Sequence, residues 1–209
     1  MTDTPLNAAY ALYGPDDCLR LYRDWAATYD ADFAQGMDYL MPAHVARAFL
    51  AAGGQGPVLD VGAGTGLVAQ ALRNMGFGGA IDGVDISAEM LARATEKGLY
   101  RHLSRADVTQ PLTLGPYAGI VSSGTFTHGH VGPQALPHLL AAAAPGAQFA
   151  VSIKQDIYTA NGFDRAFTAL TAQITEPQLI DAHIYGPAAA DRDPDHAADR
   201  AWIALFRKR

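Results

Sequence analysis

The chain has 209 residues, of which 49% are hydrophobic and 17% are charged, and its formal net charge at pH 7 is −6. This length and composition predict one well-buried globular domain and exclude a disordered chain. The acidic balance argues against nucleic acid as a partner, because phosphate binding needs a basic face.

Cysteine use and hydropathy bear on where the chain works. Cys18 is the single cysteine, which excludes an internal disulfide and a cysteine metal cluster. No apolar run reaches membrane-spanning length, and Met1 to Tyr10 lacks the basic start and apolar core of a signal peptide. We therefore expect a cytoplasmic protein with no membrane partner.

Two helices are predicted ahead of the first strand. Between Asp16 and Phe33, apolar and aromatic residues recur at steps of three and four, namely Leu19, Tyr22, Ala26, Tyr29 and Phe33. This aromatic stripe either packs on the rest of the domain or covers a ligand site, and both interpretations stay open. The second helix is predicted from Pro42 to Ala52, with proline in its first turn and Gly53-Gly54 at its end.

Residues 58–67 form a short apolar run that breaks into a glycine-rich turn. The run predicts a buried parallel strand, and a helix is predicted from Leu67 to about Asn74. Glycine lets a backbone adopt positive φ or approach a ligand closely, and a helix N-terminus favours anionic groups. The glycines are two residues apart, at Gly62, Gly64 and Gly66. The dinucleotide pattern G-x-G-x-x-G would need glycine where this chain has Leu67, so the turn disfavours a nicotinamide cofactor.

Acidic residues accompany three predicted strands. Asp60 lies on the first strand, just before the glycine turn. Asp85 follows about 20 residues beyond the turn, where a carboxylate can accept hydrogen bonds from a ribose diol. It could instead cap the helix predicted from Ala88 to Lys97, but Ser87 is the better N-cap. Asp107 ends the third strand and is either a ligand-binding residue or a turn carboxylate.

The remaining pattern alternates strands and helices. Strands are predicted at 81–87, 99–106, 117–124, 149–154, 178–185 and 201–207, and helices at 135–144 and 161–174. Pro145 and Gly146 are expected to end the first of these helices. Residues 187–199 have no apolar period and are expected to form a mobile loop. The last two strands have no crossover helix between them, so they can be antiparallel.

His128 and His130 lie in the loop after the fourth predicted strand, at the edge where doubly wound sheets bind ligands. A metal site is disfavoured, because no third ligand is nearby. Two interpretations stay open. The histidines are either hydrogen-bonded within the loop for structural reasons, or they form a general base or a substrate-orienting pair.

The segment Asp60-Val61-Gly62-Ala63-Gly64-Thr65-Gly66 resembles motif I, D/E-x-G-x-G-x-G, of the class I S-adenosylmethionine-dependent methyltransferases. The segment 22–30 resembles the opening of many small-molecule methyltransferases, and the segments at 21–25, 98–100 and 123–131 are similar to the Williams–Beuren-region methyltransferase-like group within that family. The resemblance implies a single α/β domain with a Rossmann-like, doubly wound, seven-stranded sheet. That sheet is mostly parallel with its last strand antiparallel. Residues 1–40 would form an N-terminal helical lid on a core of 41–209.

The resemblance also implies S-adenosyl-L-methionine as the cofactor and assigns residues to it. Asp60 would help hold the ammonium end of the methionyl group, with the glycine turn beneath the cofactor. Asp85 would bind the ribose, and Asp107 the adenine amino group with Val108 against the ring. The expected contacts are Asp60, Gly62, Ala63, Gly64, Gly66, Asp85, Ile86, Asp107, Val108, Ser123, Tyr22 and Tyr29.

Two positions depart from the family's patterns. Ala118 replaces an aspartate often found on the fourth strand, which puts that local contact in doubt but not the fold. Ser122 to Thr125 replaces the N/D-P-P-Y motif of enzymes that modify amide or nucleobase nitrogens, which argues against such substrates.

The resemblance therefore predicts methyl transfer to a small-molecule acceptor. His128 and His130 are the candidate catalytic residues, needed only if the acceptor carries a proton at pH 7. One alternative is a protein that binds S-adenosylmethionine without transfer activity, in a regulatory or partner-dependent role. A nicotinamide-dependent oxidoreductase is the less favoured alternative.

Overall fold

A computed structural model of the protein describes residues 20, 26 and 29–209. The strands are β1 (Val58–Val61), β2 (Ile81–Asp85), β3 (His102–Arg105), β4 (Tyr117–Phe126), β5 (Ala143–Lys154), β6 (Gln178–His183) and β7 (Arg200–Arg207). The helices are α1 (Met41–Ala51), α2 (Leu67–Asn74), α3 (Ala88–Glu96), α4 (Leu136–Ala142), α5 (Gln155–Ala160), α6 (Phe163–Ala169) and α7 (Ala189–Arg192). A π-helical segment, Tyr29–Gln35, precedes α1, and a 3₁₀ turn, Pro133–Ala135, precedes α4.

The strands form one seven-stranded sheet in the order β3-β2-β1-β4-β5-β7-β6. All neighbours pair in parallel except β7, which inserts antiparallel between β5 and β6. The predicted doubly wound α/β fold, with its last strand antiparallel, is thus confirmed. The strand order reverses between β1 and β4, and the carboxyl ends of strands at such a switch point form the ligand-binding crevice.

Local chemistry explains the two helices beside this crevice. Gly66 is the N-cap of α2 in a left-handed conformation, and α2 buries Val68, Ala69 and Leu72 on one face. Ser87 caps α3, as predicted, by accepting a hydrogen bond from the Met90 N–H at 3.2 Å. After this cap, the residues of α3 that pack on the sheet recur at helical spacing.

The boundary between α4 and β5 differs from the prediction. The helix predicted over 135–144 ends at Ala142. The strand begins at Ala143, whereas it was predicted to begin at Phe149. Alanine favours helix, but pairing overrides this preference, because Ala143 lies opposite Tyr117 of β4. Gly146 donates to the Lys208 carbonyl at 3.0 Å, so it belongs to the strand and does not end the helix.

Two further predictions near the C-terminus were wrong in detail. The helix predicted over 161–174 is shorter at both ends, because α6 begins after its N-cap Gly162, with φ of 80°, and ends at Ala169, while Ile174 forms an antiparallel bridge with Lys208. The short helix α5 before it was not predicted. The loop predicted over 187–199 contains α7 and is partly buried, with Ala189 and Asp193 only 0% and 4% exposed.

Most of the predicted N-terminal helix, including Tyr22 and Trp25, lies outside the described residues. Its described end, Tyr29–Gln35, is π-helical and not a regular α-helix. Among the described helices, none combines the length and the apolar character needed to cross a bilayer.

Apolar side chains fill both faces of the sheet, and Phe49 of α1 is a central one. Its ring is fully buried, and a Cβ added at Gly54 or Gly119 would lie 2.4 or 2.5 Å from it. The two glycines therefore make the space that the ring occupies, which joins α1 to β4.

We predict that Phe49→Ala lowers the free energy of unfolding by about 3–5 kcal/mol, because a rigid site beneath glycine backbone cannot collapse around the cavity. Urea denaturation measures this. Met75→Ala, at the exposed end of α2, is the matched control and should change stability by less than about 0.5 kcal/mol. Equal effects of the two substitutions would contradict the packing described for Phe49.

Candidate functional site

A cleft opens at the carboxyl ends of β1, β2 and β4, with about 880 Å³ of empty space that includes its open mouth. Most of the residues expected from the sequence to contact a ligand line it: Tyr29, Gly62, Gly64, Asp85, Ile86, Asp107, Val108, Ser123 and His130. The switch point of the sheet and the sequence patterns therefore identify the same region.

The glycine turn follows β1 and forms the floor of the cleft. Gly62 has φ of 67°, and a Cβ there would lie 2.0 Å from the Thr125 hydroxyl oxygen of β4. Gly64 has φ of 54°, and its nearest neighbour would be the Gly62 carbonyl oxygen at 4.0 Å. Glycine at 62 thus lets β4 approach the turn, whereas glycine at 64 leaves open space for a ligand.

Asp85 ties this turn to the end of β2. The Gly64 N–H donates to Asp85 Oδ2 at 2.8 Å, and the Ser87 N–H donates to Oδ1 at 2.8 Å. Burial raises the pKa of Asp85, and these backbone hydrogen bonds oppose the shift. Ser87 caps α3 as expected, yet Asp85 also has backbone partners. Each carboxylate oxygen has a second acceptor site, so Asp85 can still bind hydroxyl donors in the cleft.

Asp60 lies beneath the turn and does not line the cleft. It is fully buried, and the Tyr100 hydroxyl donates to its Oδ2 at 2.7 Å. Its Oδ1 has no hydrogen-bond partner among the described residues. Burial raises the pKa of Asp60 to about 7 and the nearby Asp85 adds to the shift, whereas the Tyr100 hydrogen bond and the backbone of Ala69 oppose it. A buried carboxylate with spare acceptor capacity suits a ligand group that carries N–H or positive charge.

An apolar wall lies between Asp85 and Asp107. Sequence reasoning identified Ile86 and Val108 there but missed Met90 and Ala106. Asp107 Oδ1 accepts from the N–H and the hydroxyl of Thr109 at 2.9 and 2.7 Å, so the turn interpretation of Asp107 is correct. Asp107 also lines the cleft, which leaves its ligand interpretation a prediction.

The end of β4 forms the opposite wall. The hydroxyl oxygens of Ser123 and Tyr39 are 3.2 Å apart, and burial raises the pKa of Tyr39 to about 12 while this hydrogen bond opposes the shift. Gly124, Thr125 and Val131 also line this wall and were not identified from the sequence.

The two histidines occupy different environments. His130 lines the cleft, and its Nδ1 lies 2.7 Å from the His128 carbonyl oxygen. A carbonyl only accepts, so Nδ1 carries the proton and Nε2 is the acceptor of a neutral ring. Burial lowers the pKa of His130, which favours this neutral form. His128 does not line the cleft; its Nε2 lies 3.6 Å from Asp156 Oδ2.

Two other predicted residues, Ala63 and Gly66, do not line the cleft. Ala63 is buried and hydrogen-bonded to the Val84 carbonyl, and Gly66 faces the Tyr100 ring. Tyr22 falls outside the described residues. Met90 could have been found from the sequence, since it lies three residues after the N-cap Ser87. Tyr100 could not, because its contact with Asp60 spans 40 residues.

Comparison with known proteins gives a consistent result. A family model described as a methyltransferase domain matches residues 33–184. Human methyltransferase-like protein 27 is 35% identical over 142 residues, which are 64% of this chain and 57% of the human protein. The chain therefore spans just over half of that relative's length.

Solved structures share the fold at lower identity. The DhpI–SAH complex is 22% identical with a TM-score of 0.65, over 91% of this chain and 94% of DhpI. A possible histamine N-methyltransferase from Thermotoga maritima is 14% identical with a TM-score of 0.61, over 91% and 98% of the two chains.

We predict that Asp60→Asn stabilises the domain at neutral and alkaline pH. Because the pKa of Asp60 is raised to about 7, the folded chain holds this proton between about pH 4 and 7, where the unfolded chain has released it. Stability that depends on the protonated form is therefore lost as the pH rises through this window. Asparagine cannot ionise and avoids that loss.

Urea denaturation of both proteins at several pH values measures this effect. The variant should exceed the wild type by at least about 1 kcal/mol near pH 8, and the two should converge near pH 4. The comparison uses the difference in unfolding free energy between the two proteins, so the contributions from titration of other groups largely cancel. A difference that stays constant with pH would contradict the raised pKa.

Proposed function

Because the chain belongs to the class I S-adenosylmethionine-dependent methyltransferases, we propose that it transfers the methyl group of S-adenosyl-L-methionine to a small-molecule acceptor. The feature that most directly supports the site is the Gly64–Asp85 hydrogen bond at the switch point of the sheet. It holds a ligand-accessible glycine and a carboxylate side by side on the floor of the cleft.

The side chains of the cleft fit this cofactor. Asp85 and Asp107 are the charged side chains among the described lining residues, so the cleft is anionic and suits a cationic ligand. Asp85 has acceptor capacity for ribose hydroxyls, and Ile86, Met90 and Val108 offer an apolar surface for a purine ring. The unpartnered Asp60 Oδ1 is consistent with an ammonium group near the turn.

When bound, S-adenosylmethionine supplies a methyl group that its sulfonium charge already activates. The protein then has three tasks, which are to bind, to orient the acceptor and to exclude water. Little acid–base machinery is needed for this, so the modest number of titratable groups in the cleft is in keeping with the chemistry.

We assign the two histidines different roles. His130 is the candidate proton acceptor, because it lines the cleft as a neutral ring whose Nε2 is the accepting nitrogen. His128 positions it, since the His128 carbonyl holds His130 Nδ1 and the His128 ring pairs with Asp156. His130 is needed when the acceptor carries a proton at pH 7. A small-molecule acceptor is favoured because the described lining residues form a concave site at the switch point of the sheet and include no Lys or Arg that would bind a phosphate backbone.

Calorimetry and a turnover assay test the function. We expect S-adenosylmethionine and S-adenosylhomocysteine to bind and NADH not to bind, because Leu67 begins a helix where the dinucleotide pattern needs glycine. Labelled methyl transfer should then be found for at least one member of a panel of hydroxyl, amine and thiol metabolites. Binding of NADH alone would overturn the proposal in favour of an oxidoreductase.

We predict that Gly64→Val weakens S-adenosylhomocysteine binding by about 100-fold or more, because its side chain enters the space above the turn. Gly76→Val is the matched control: Gly76 also has positive φ, 85°, and open space around it, but lies after α2 and not in the cleft. Both substitutions strain the backbone similarly. A difference between them in calorimetric affinity for S-adenosylhomocysteine therefore reports the loss of ligand space at Gly64. Equal affinities in the two variants would mean that the turn is structural.

A further inference from the structure

Asp30 connects three parts of the chain with one carboxylate. Its Oδ1 accepts a hydrogen bond from the Thr65 hydroxyl at 2.5 Å, and its Oδ2 lies 2.6 Å from Lys97 Nζ. Thr65 is the residue between Gly64 and Gly66 in the glycine turn, and Lys97 is the C-cap of α3. Asp30 itself belongs to the π-helical segment Tyr29–Gln35. We refer to Asp30, Thr65 and Lys97 as the Asp30 bracket.

The bracket lies at the boundary between the interior and solvent. Thr65 is 2% exposed, the Lys97 and Asp30 side chains are 20% and 37% exposed, and the Lys97 ammonium nitrogen itself is inaccessible to solvent. Removing a carboxylate from a shielded ammonium leaves a charge without compensation, which is costly. By contrast, Arg93 and Glu96 on the same helix form a pair whose side chains are 43% and 64% exposed, and such pairs contribute little.

A second, independent contact holds the other end of the segment. The Phe33 ring centroid lies 5.5 Å from that of Tyr39 and 6.1 Å from that of Tyr185. Tyr29, directly before Asp30 in the chain, packs on Phe33 with ring centroids 5.0 Å apart and lines the cleft. The aromatic contacts therefore fix the segment to the sheet, and the bracket fixes it to the cofactor turn.

The bracket joins the chain neighbours of two residues that line the cleft. Tyr29 is adjacent to Asp30 in the chain, and Gly64 is adjacent to Thr65. Asp30 and Thr65 do not line the cleft. A ligand that contacts both the glycine turn and Tyr29 therefore binds more tightly when Asp30 and Thr65 are bonded to each other, because that bond holds the two contacts in place.

We propose that Asp30 is a positioning residue of the cofactor site, which couples docking of the segment Tyr29–Gln35 to the geometry of the glycine turn. It acts through Thr65 and Tyr29 and does not itself contact the cofactor. This assignment rests on the proposed function, because the ligand whose binding it supports is S-adenosylmethionine or S-adenosylhomocysteine. By linkage, ligand binding and segment docking must stabilise each other by the same factor.

Two substitutions remove the ion pair from opposite ends. Asp30→Asn keeps an amide oxygen that can accept from Thr65 but loses the charge, and Lys97→Met keeps the aliphatic stem but loses the ammonium. Arg93→Met is the matched control, because it removes a cation from the same helix but from an exposed pair. The double variant Asp30→Asn/Lys97→Met tests whether the two act as one unit.

The measurements are S-adenosylhomocysteine affinity by calorimetry and hydrogen exchange of residues 29–35 with and without that ligand. We expect the dissociation constant to rise about tenfold in Asp30→Asn and in Lys97→Met, within the usual range of coupling between sites. The double variant should lose little more than either single one, and Arg93→Met should bind as the wild type does. Ligand should slow exchange of 29–35 in the wild type and less so in the bracket variants.

The outcomes separate the inference from the function beneath it. Wild-type affinity in both Asp30→Asn and Lys97→Met, with faster exchange of the segment, would make the bracket merely structural and overturn the assignment alone. Failure of the wild-type chain to bind S-adenosylhomocysteine would overturn the proposed function, and the assignment with it. Lys97→Met leaves the segment's own sequence intact, so it decides the question even if Asp30→Asn folds poorly.

Discussion

The hydrogen bond from the Gly64 N–H to Asp85 is the contact on which the site depends. It fixes the turn after β1 against the end of β2, and these neighbouring strands lie on the same side of the switch point. Gly62 then brings the end of β4 against the same turn, because nothing larger than hydrogen fits beside Thr125. The three strand ends are fixed relative to one another, so the floor of the cleft is rigid before any ligand binds. The binding energy of a ligand is therefore not used to order the backbone of this floor.

The sequence predicted the parts of this arrangement that depend on local patterns. Glycine spacing, strand-end carboxylates and the Ser87 cap are each defined within a few residues, and the structure has them at the expected places. The Asp30–Thr65 contact spans 35 residues and the Tyr100–Asp60 contact spans 40. No periodicity or spacing rule encodes such pairs, because they arise only when the sheet brings distant loops together.

The errors in secondary structure have the same origin. The alanines before Pro145 favour helix by local propensity, and pairing with β4 overrides that preference. In the same way, apolar spacing predicted a helix that continues to Ile174, but the helix ends at Ala169 and Ile174 forms an antiparallel bridge with Lys208. Where tertiary pairing competes with local preference, pairing determines the structure, and a single chain does not reveal its pairing partners.

Three carboxylates surround the glycine turn, and their surroundings give them different roles. Asp85 accepts two backbone hydrogen bonds and faces the cleft, which suits it to bind ligand hydroxyls. Asp60 is fully buried with one donor and a pKa raised to about 7, so it weakens the fold at neutral pH. Asp30 pairs with Lys97 and therefore adds little net charge to the site. A fold needs no buried acid at position 60. Its presence there is consistent with a cationic ligand that compensates it, in which case binding would relieve a cost that the free domain carries.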